Sequence, residues 1–145
     1  MLSQKSKTII SIDCMGGDHA EQEVLNGITK AYSANESIFF LLHGVGSKMP
    51  KLLKNQKKLS RAFKYIPASQ TVSMNEKPSQ ALRNGKKSSM WNALASVATG
   101  EAKVAVSCGN TGALMAMSMV QLKKIEGVNR PAIAVLWPST NPHGF

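Results

Sequence analysis

The chain has 145 residues, of which 43% are hydrophobic and 18% charged, and it carries a formal net charge of +10 at pH 7. This composition is typical of one globular domain and excludes a disordered chain. The basic start has too short an apolar part for a signal peptide, and no stretch approaches the roughly 20 apolar residues of a membrane helix, so we expect a protein that is soluble or at most peripheral to a membrane. Cys14 and Cys108 fit neither a disulfide framework nor a metal site, so the expected location is a reducing cytoplasm.

The first half of the chain alternates short apolar runs with amphipathic ones. Its predicted elements are a strand at 8–13, a helix at 21–34, a strand at 37–44, a short basic helix at 47–58 and a strand at 62–66. The first strand is dense in isoleucine, which is typical of a strand buried on both faces. Ser47 is the predicted cap of the basic helix.

Glycine and proline punctuate the second half of the chain. Residues 76–102 are predicted to form two helical pieces separated at Gly85, with Pro78 in the first turn of the first piece and Gly100 at the end of the second. The remaining predicted elements are a strand at 103–107, a helix at 111–125 and a strand at 131–137, before a turn-rich end.

Strands that alternate with helices in this way predict right-handed βαβ units. The expected fold class is α/β, with three layers: a mostly parallel sheet with helices on both faces. Ligands of such sheets bind beyond the carboxyl ends of the strands. The loop DCMGGDHA after the first strand and the loop SCGNTG after the fourth are therefore expected to lie close together.

The loop SCGNTG has the properties of an anion site. Gly109 and Gly112 allow a sharp turn and a close approach of the backbone to a ligand. Either Thr111 or Asn110 can cap the following helix and leave backbone N–H groups free to bind phosphate. The alternative is an ordinary glycine turn between a strand and a helix. The loop matches neither the Walker A pattern nor G-x-G-x-x-G.

In the loop DCMGGDHA two acidic residues, Asp13 and Asp18, flank the glycine pair Gly16 and Gly17. Carboxylates repel phosphate, so these side chains are expected either to fix the loop and cap the next helix or to orient a neighbouring basic group. His19 is the histidine beside this loop and is the candidate general base.

The stretch ALRNGKKSSM combines three basic side chains with two hydroxyls, namely Arg83, Lys86, Lys87, Ser88 and Ser89. Basic groups followed directly by hydroxyls can form a clamp for phosphate or for a developing oxyanion. The alternative is a helix start that Ser88 or Ser89 caps, preceded by solvated lysines.

Sulfur-containing residues near the loops are expected to be structural. Cys14 and Cys108 stand at loop mouths, where a nucleophile would be placed, but the sequence ties no histidine to either. We expect both to be small residues packed under turns. Leu114, Met117 and Met119 form an apolar stripe that is expected to belong to the core rather than to an acyl pocket.

The positive charge is concentrated between Glu36 and Glu76, where the sequence has no acid. The basic residues from 48 to 64 are Lys48, Lys51, Lys54, Lys57, Lys58, Arg61 and Lys64. They form either a solvated helix face or a surface that attracts nucleic acid, anionic lipid or an acidic protein. The aromatic residues Phe63 and Tyr65 stand at the end of this block, in a predicted strand, and are not interleaved through it as in single-strand binders, so nucleic acid is not expected.

Four segments in this order, DCMGGD, EKPSQALRNGKKSSMWNA, SCGNTGALMA and GVNRPAIAVLWPS, resemble the bacterial phosphate acyltransferases of phospholipid synthesis. The resemblance implies transfer of a long-chain acyl group from acyl carrier protein to inorganic phosphate, without a cofactor or metal. It also implies a fold like isopropylmalate dehydrogenase and phosphotransacetylase, a homodimer and loose association with the membrane surface.

Combined with this resemblance, the motifs single out a set of site residues. Catalytic roles are expected for His19, Lys87, Ser89 and Asn110. Contacts to phosphate or substrate are expected from Gly16, Gly17, Asp18, Arg83, Lys86, Ser88, Gly109, Thr111 and Gly112.

The chain departs from the family pattern at three positions and in length. Cys14 and Cys108 stand where a small residue such as alanine is common, and Glu21 stands where proline is usual. Residues 1–145 are expected to be a single α/β domain, the amino-terminal portion of a longer family fold, so the activity of this chain alone is in question. Alternative interpretations are a phosphotransacetylase-like enzyme that uses coenzyme A, and a basic non-enzymatic module that binds nucleic acid or an acidic protein.

Overall fold

The computed structural model describes residues 7–17 and 19–136. Its strands are β1 (Thr8–Asp13), β2 (Ile38–Gly44), β3 (Phe63–Pro67) and β4 (Val104–Ser107). Its helices are α1 (Ala20–Ala34), α2 (Lys48–Lys54), α3 (Pro78–Asn84), α4 (Ser89–Ala98) and α5 (Thr111–Gln121), and Lys57–Leu59 forms a 3₁₀ turn.

The four strands form one parallel sheet in the order β3-β2-β1-β4. In the register, Asp13 at the end of β1 lies opposite His43 of β2 on one side and Ser107 of β4 on the other. The carboxyl ends of these three strands therefore meet at one edge, which confirms the predicted parallel sheet and places the loops after β1 and β4 side by side.

Helices cover both faces of the sheet, as predicted. On one face, Ile12 of β1 and Phe40 of β2 pack in a core with Leu25 and Ile28 of α1 and Leu53 of α2. On the other face, Ala105 of β4 packs against a second core, whose buried members are Ala81, Met90, Leu94, Ala113 and Met117 of α3, α4 and α5. Side chains of successive strand residues point to opposite faces; β1, β2 and β3 contribute to the first core, and Ala105 of β4 packs against the second.

Two of the predicted helices are shorter than expected. The helix predicted at 47–58 ends at Lys54 and resumes as a separate 3₁₀ turn, and the Ser47 side chain makes no capping hydrogen bond. The helix predicted at 111–125 ends at Gln121, because Lys123 has a φ of 65°, in the left-handed region that ends a helix. Gly127 forms a later turn rather than the helix end.

The fifth strand predicted at 131–137 is wrong over 131–136, where the structure has no strand, and Trp137 lies outside the described residues. Apolar residues favour a strand, but a strand also needs a neighbour that accepts and donates its backbone hydrogen bonds. Ile133, Val135 and Leu136 are 59%, 66% and 76% exposed. This segment adds to the apolar surface that the described part of the chain leaves uncovered, as the exposed side chains of the edge strand β4 do.

Candidate functional site

The two glycine loops are in direct backbone contact at the carboxyl edge of the sheet. An ideal Cβ on Gly16 would lie 2.6 Å from Cα of Gly109 and 2.8 Å from the carbonyl carbon of Cys108, which is closer than any side chain can approach. Gly17 has a φ of +95°, a conformation that glycine adopts without strain. The structure therefore confirms that the loops lie together and explains both glycines of the first loop.

Asp13 links the two loops through hydrogen bonds. Its Oδ1 accepts from the backbone N–H of Met15 at 3.1 Å, and its Oδ2 accepts from the hydroxyl of Ser107 at 2.8 Å. The Ser107 oxygen in turn accepts from the backbone N–H of Gly109 at 3.1 Å. Asp13 is 3% exposed, so it acts here as a loop-fixing group, and Ser107 is a positioning residue that sequence reasoning missed. The other predicted acid, Asp18, lies outside the described residues.

Asn110 caps α5 and also holds a distant segment in place. Its Oδ1 accepts from the N–H of Ala113 at 3.0 Å, which decides between the two predicted caps. Its Nδ2 donates to the carbonyl oxygens of Ser73, Met74 and Glu76, at 3.2, 3.1 and 2.7 Å. These bonds occupy both polar atoms of a side chain that is 8% exposed. The geometry makes Asn110 an organiser of the site, and its catalytic role stays a prediction.

The amino ends of three helices converge on the loop after β4. An ideal Cβ on Gly112 would lie 2.7 Å from Cγ of Pro78, the first residue of α3, and one on Gly109 would lie 2.9 Å from Cε of Met90 in the first turn of α4. The N–H groups of Thr111 and Gly112 have no hydrogen-bond acceptor among the described residues. Helix amino ends carry partial positive charge, so this position favours an anion.

The segment from Arg83, in the last turn of α3, to Ser89, the first residue of α4, has exposed charged side chains and buried hydroxyls. Arg83, Lys86 and Lys87 are exposed, whereas Ser88 and Ser89 are buried. The Ser88 hydroxyl caps α4 by accepting from the N–H of Trp91 at 3.1 Å. Within the described part of the chain, the buried Ser89 hydroxyl has no hydrogen-bond partner. The structure thus brings this segment to the site through the first turn of α4, with the basic groups facing solvent.

Two histidines lie near this edge in very different surroundings. His19 is the exposed residue before α1, and its side chain makes no capping hydrogen bond. His43 is buried at the end of β2, where its Nε2 lies 3.3 Å from the hydroxyl of Ser96 and its Nδ1 has no partner among residues 7–17 and 19–136. Burial lowers the pKa of the His43 imidazole. Sequence reasoning did not place His43 in the site, because only the strand register sets it opposite Asp13.

Acid should destabilise the fold through His43. Because its pKa in the folded chain is below the ordinary value of about 6.5, the unfolded chain binds the proton more readily. The stability that neutral His43 contributes is fully present above the pKa that His43 has in the unfolded chain. It is lost as the pH falls from that value toward the lower pKa of the folded chain. The urea midpoint of the wild type should fall from pH 7.5 to pH 5.5 more steeply than that of His43→Gln. Parallel slopes for the two proteins would contradict this role.

The cysteines differ in environment. Cys14 is fully buried in the core, and burial, with the charges of Asp13 and Glu21, raises the pKa of its thiol. Cys108 is exposed. The expectation that Cys108 packs under a turn is therefore wrong, because it follows the edge strand β4, beyond which no described element covers it.

A thiol reagent should distinguish the two cysteines in the native chain. Ellman's reagent is expected to release one equivalent quickly from Cys108 and the second only after unfolding, because the reactive form is an accessible thiolate. The native Cys108→Ala variant should release almost none. Two fast equivalents from the native wild type would show that the Cys14 site opens readily.

Among the described residues, no group of three or more His, Cys, Asp or Glu side chains is placed to hold a metal ion. No helix in this part of the chain is long and apolar enough to cross a membrane.

The chain is similar to a known protein family over nearly its whole length. The family described as "Fatty acid synthesis protein" matches residues 8–145. Relatives named phosphate acyltransferase include those of Ruegeria sp. (strain TM1040), 54% identical over 96% of this chain, and Jannaschia sp. (strain CCS1), 49% identical over 95%. That of Roseobacter denitrificans is 49% identical over 99%. The chain spans 37%, 38% and 40% of the lengths of these three relatives. By the extent of the family match, the chain belongs to the fatty acid synthesis protein family.

Proposed function

We propose that this chain is the amino-terminal α/β domain of a phosphate acyltransferase. The reaction is transfer of a long-chain acyl group from the thioester of acyl carrier protein to inorganic phosphate, which gives acyl phosphate for phospholipid synthesis. The family match and the names of the relatives support the reaction class. The observation that carries the proposal is the backbone contact of Gly16 with Gly109 directly before the amino end of α5.

Phosphate would bind where backbone donors and cations meet. The N–H groups of Thr111 and Gly112 lack acceptors among the described residues and lie at the positive end of a helix of 11 residues. Protein atoms fill the Cβ positions of Gly16, Gly109 and Gly112, so these glycines allow the close packing that holds the N–H groups in place. Exposed basic side chains before α4 add positive charge and are free to close over the anion; they are Arg83, Lys86 and Lys87.

In the reaction, a phosphate oxygen attacks the thioester carbonyl carbon, the C–S bond breaks, and the thiolate leaves and takes up a proton. The products are acyl phosphate and the free thiol of the carrier. Charge develops on the carbonyl oxygen, so the site needs a donor there. Our candidates for this donor are Lys87 and the Ser89 hydroxyl, which has no hydrogen-bond partner among the described residues. Phosphate is partly dianionic near neutral pH, so His19 would serve proton transfer without being an obligatory base.

The partners and location follow from this reaction. The substrates would be the acyl carrier protein thioester and inorganic phosphate, with no nucleic acid, metal or cofactor. The whole protein would be a cytoplasmic homodimer that associates loosely with the inner membrane surface. Since the chain spans 37–40% of the three relatives described above, the rest of their length would supply the other wall of the site.

The test is to mix the chain with acyl-acyl carrier protein and phosphate and to trap the product with hydroxylamine. Phosphate-dependent acyl hydroxamate is the expected result. Its absence from a folded sample would show that this chain alone is not an enzyme. If acyl-coenzyme A reacts and the carrier thioester does not, the phosphotransacetylase-like interpretation is correct instead.

The substitution Thr111→Ala tests the phosphate site, either in this chain or in a full-length protein if only that is active. Loss of a hydrogen bond to a charged group costs about 1.5–3 kcal/mol, so the phosphate concentration at half saturation should rise by about tenfold or more. Thr99→Ala, at the far end of α4, is the matched control and should leave it unchanged. Unchanged phosphate saturation in Thr111→Ala would mean that its hydroxyl does not bind phosphate.

A further inference from the structure

The basic residues between 48 and 64 form one exposed surface, which we call the basic edge. All seven are exposed: Lys48, Lys51, Lys54, Lys57, Lys58, Arg61 and Lys64. They lie on α2, on the 3₁₀ turn, on the edge strand β3 and, for Arg61, in the connection between the turn and β3. In the described part of the chain, Lys48 alone of the seven has an ion-pair partner, Glu21 at 3.0 Å. Most of this positive charge is therefore uncompensated by the residues that the structure describes.

The backbone beneath the basic edge is held firmly in the core. Met49 and Leu53 of α2, Leu59 of the 3₁₀ turn and Ala62 before β3 are all buried in the hydrophobic cluster on the α1 face of the sheet. A solvated charged tail has no such anchoring. The backbone positions that carry these cations are consequently fixed relative to one another, which lowers the entropic cost of binding a partner compared with a disordered basic tail.

The basic edge also contains a recess. It has a volume of about 440 Å³, and its lining includes the basic residues Lys54 and Lys57 and the aromatic residues Phe63 and Tyr65. A recess with a cationic rim and an aromatic wall suits a protein surface that offers carboxylates around an apolar side chain. A flat surface of solvated lysines would attract an acidic partner but would offer no recess for its apolar side chain.

The basic edge reaches toward the candidate site. Lys48 lies at the start of α2, and its partner Glu21 lies in the first turn of α1, which follows the loop that contains Gly16. A partner bound along this edge would be next to the glycine loops. The opposite edge of the sheet, β4, carries the exposed apolar side chains Val104 and Val106.

We propose that the basic edge is the docking surface for an acidic protein, the carrier that delivers the acyl thioester. This inference rests on the proposed function, which requires a carrier, and on charge complementarity, because no acid lies between Glu36 and Glu76 to repel an acidic partner. An anionic membrane is the less suitable occupant. Large apolar side chains that could enter a bilayer are exposed on α5, on β4 and over 122–136, and none is exposed on the basic edge.

The experiment compares two double charge reversals in the 145-residue chain. Lys54→Glu with Lys57→Glu changes the rim of the recess, and Lys103→Glu with Lys124→Glu makes the same charge change at exposed positions outside the basic edge. The titrant is labelled acyl-acyl carrier protein, followed by fluorescence anisotropy at low and at 0.3 M salt. Circular dichroism confirms folding, and the milder Lys54→Gln with Lys57→Gln replaces any variant that does not fold.

The rim variant should bind the carrier about tenfold more weakly and lose most of the salt dependence, whereas the control should change by less than about twofold. Equal weakening in both variants, or no carrier binding by the wild type, would overturn the docking proposal. So would tighter binding to phosphatidylglycerol vesicles or to duplex DNA than to the carrier. If the rim variant binds the carrier as the wild type does and phosphate-dependent product still forms, the docking proposal is wrong and the proposed function is unaffected.

Discussion

The substitution Gly16→Ala should destabilise the fold strongly. The added Cβ would lie 2.6 Å from Cα of Gly109 and 2.8 Å from the carbonyl carbon of Cys108. These are backbone atoms of the neighbouring loop, so they can make room only if the two loops move apart. Overpacking of this kind costs about 1–3 kcal/mol, and urea unfolding should show a loss toward the upper end of that range.

Two other glycines provide matched controls for Gly16→Ala. A Cβ on Gly109 would meet the side-chain atoms Met90 Cε at 2.9 Å and Ser107 Oγ at 3.2 Å. Because Met90 is flexible, Gly109→Ala should cost clearly less. Gly27→Ala meets nothing within 4 Å and lies within α1, so it should raise stability by about 0.5–1 kcal/mol.

The readout that concerns function is phosphate saturation. If Gly16 serves only packing, Gly16→Ala should lower stability and leave the phosphate requirement of the folded, active form unchanged. Our expectation is that both change, because separating the loops moves the N–H groups at the start of α5. Equal stability losses in the Gly16 and Gly109 variants would show that the loops are not held in the contact that the structure describes.

The sequence was sufficient to predict the parallel sheet and the proximity of its two glycine loops. Alternation of apolar strands with helices determines that the sheet is parallel, and parallel strands bring their carboxyl ends together. The strand order β3-β2-β1-β4 and the register depend on the side of the sheet edge to which each connection carries the next strand, and local patterns do not specify this. For that reason the bond between Asp13 and Ser107, 94 residues apart, could not be predicted.

Local patterns also failed where a residue's partner lies far along the chain. The loop SCGNTG indicated a helix cap at Asn110 or Thr111. It could not indicate that the Asn110 side chain also donates to carbonyl oxygens 34–37 residues earlier in the chain. Similarly, the apolar residues at 131–136 favoured a strand, but the structure has none there, because no described strand lies beside this segment to pair with it. Local propensity is a property of a segment, whereas pairing and burial are properties of what packs against it.

Asn110→Ala should be the second strongly destabilising change. It removes the cap of α5, worth about 1 kcal/mol, and leaves three carbonyl oxygens of residues 73–76 without their shared donor, at a further cost of about 1–3 kcal/mol. Ser88→Ala is the matched control, because it removes a buried cap of α4 that binds the N–H of Trp91 and no carbonyl. The excess loss in the Asn110 variant measures the bonds to residues 73–76.

Asn110→Asp separates the two parts of this side chain. The introduced carboxyl keeps an oxygen for the N–H of Ala113 but sets its other oxygen against the carbonyls of Ser73, Met74 and Glu76. These oxygens disfavour the charged form and raise its pKa, so this variant should gain stability relative to Asn110→Ala as the pH falls and the carboxyl becomes a donor. If Asn110→Asp were instead as stable as the wild type at pH 7.5, the cap alone would account for Asn110. The segment 73–76 would then be held in place by other contacts.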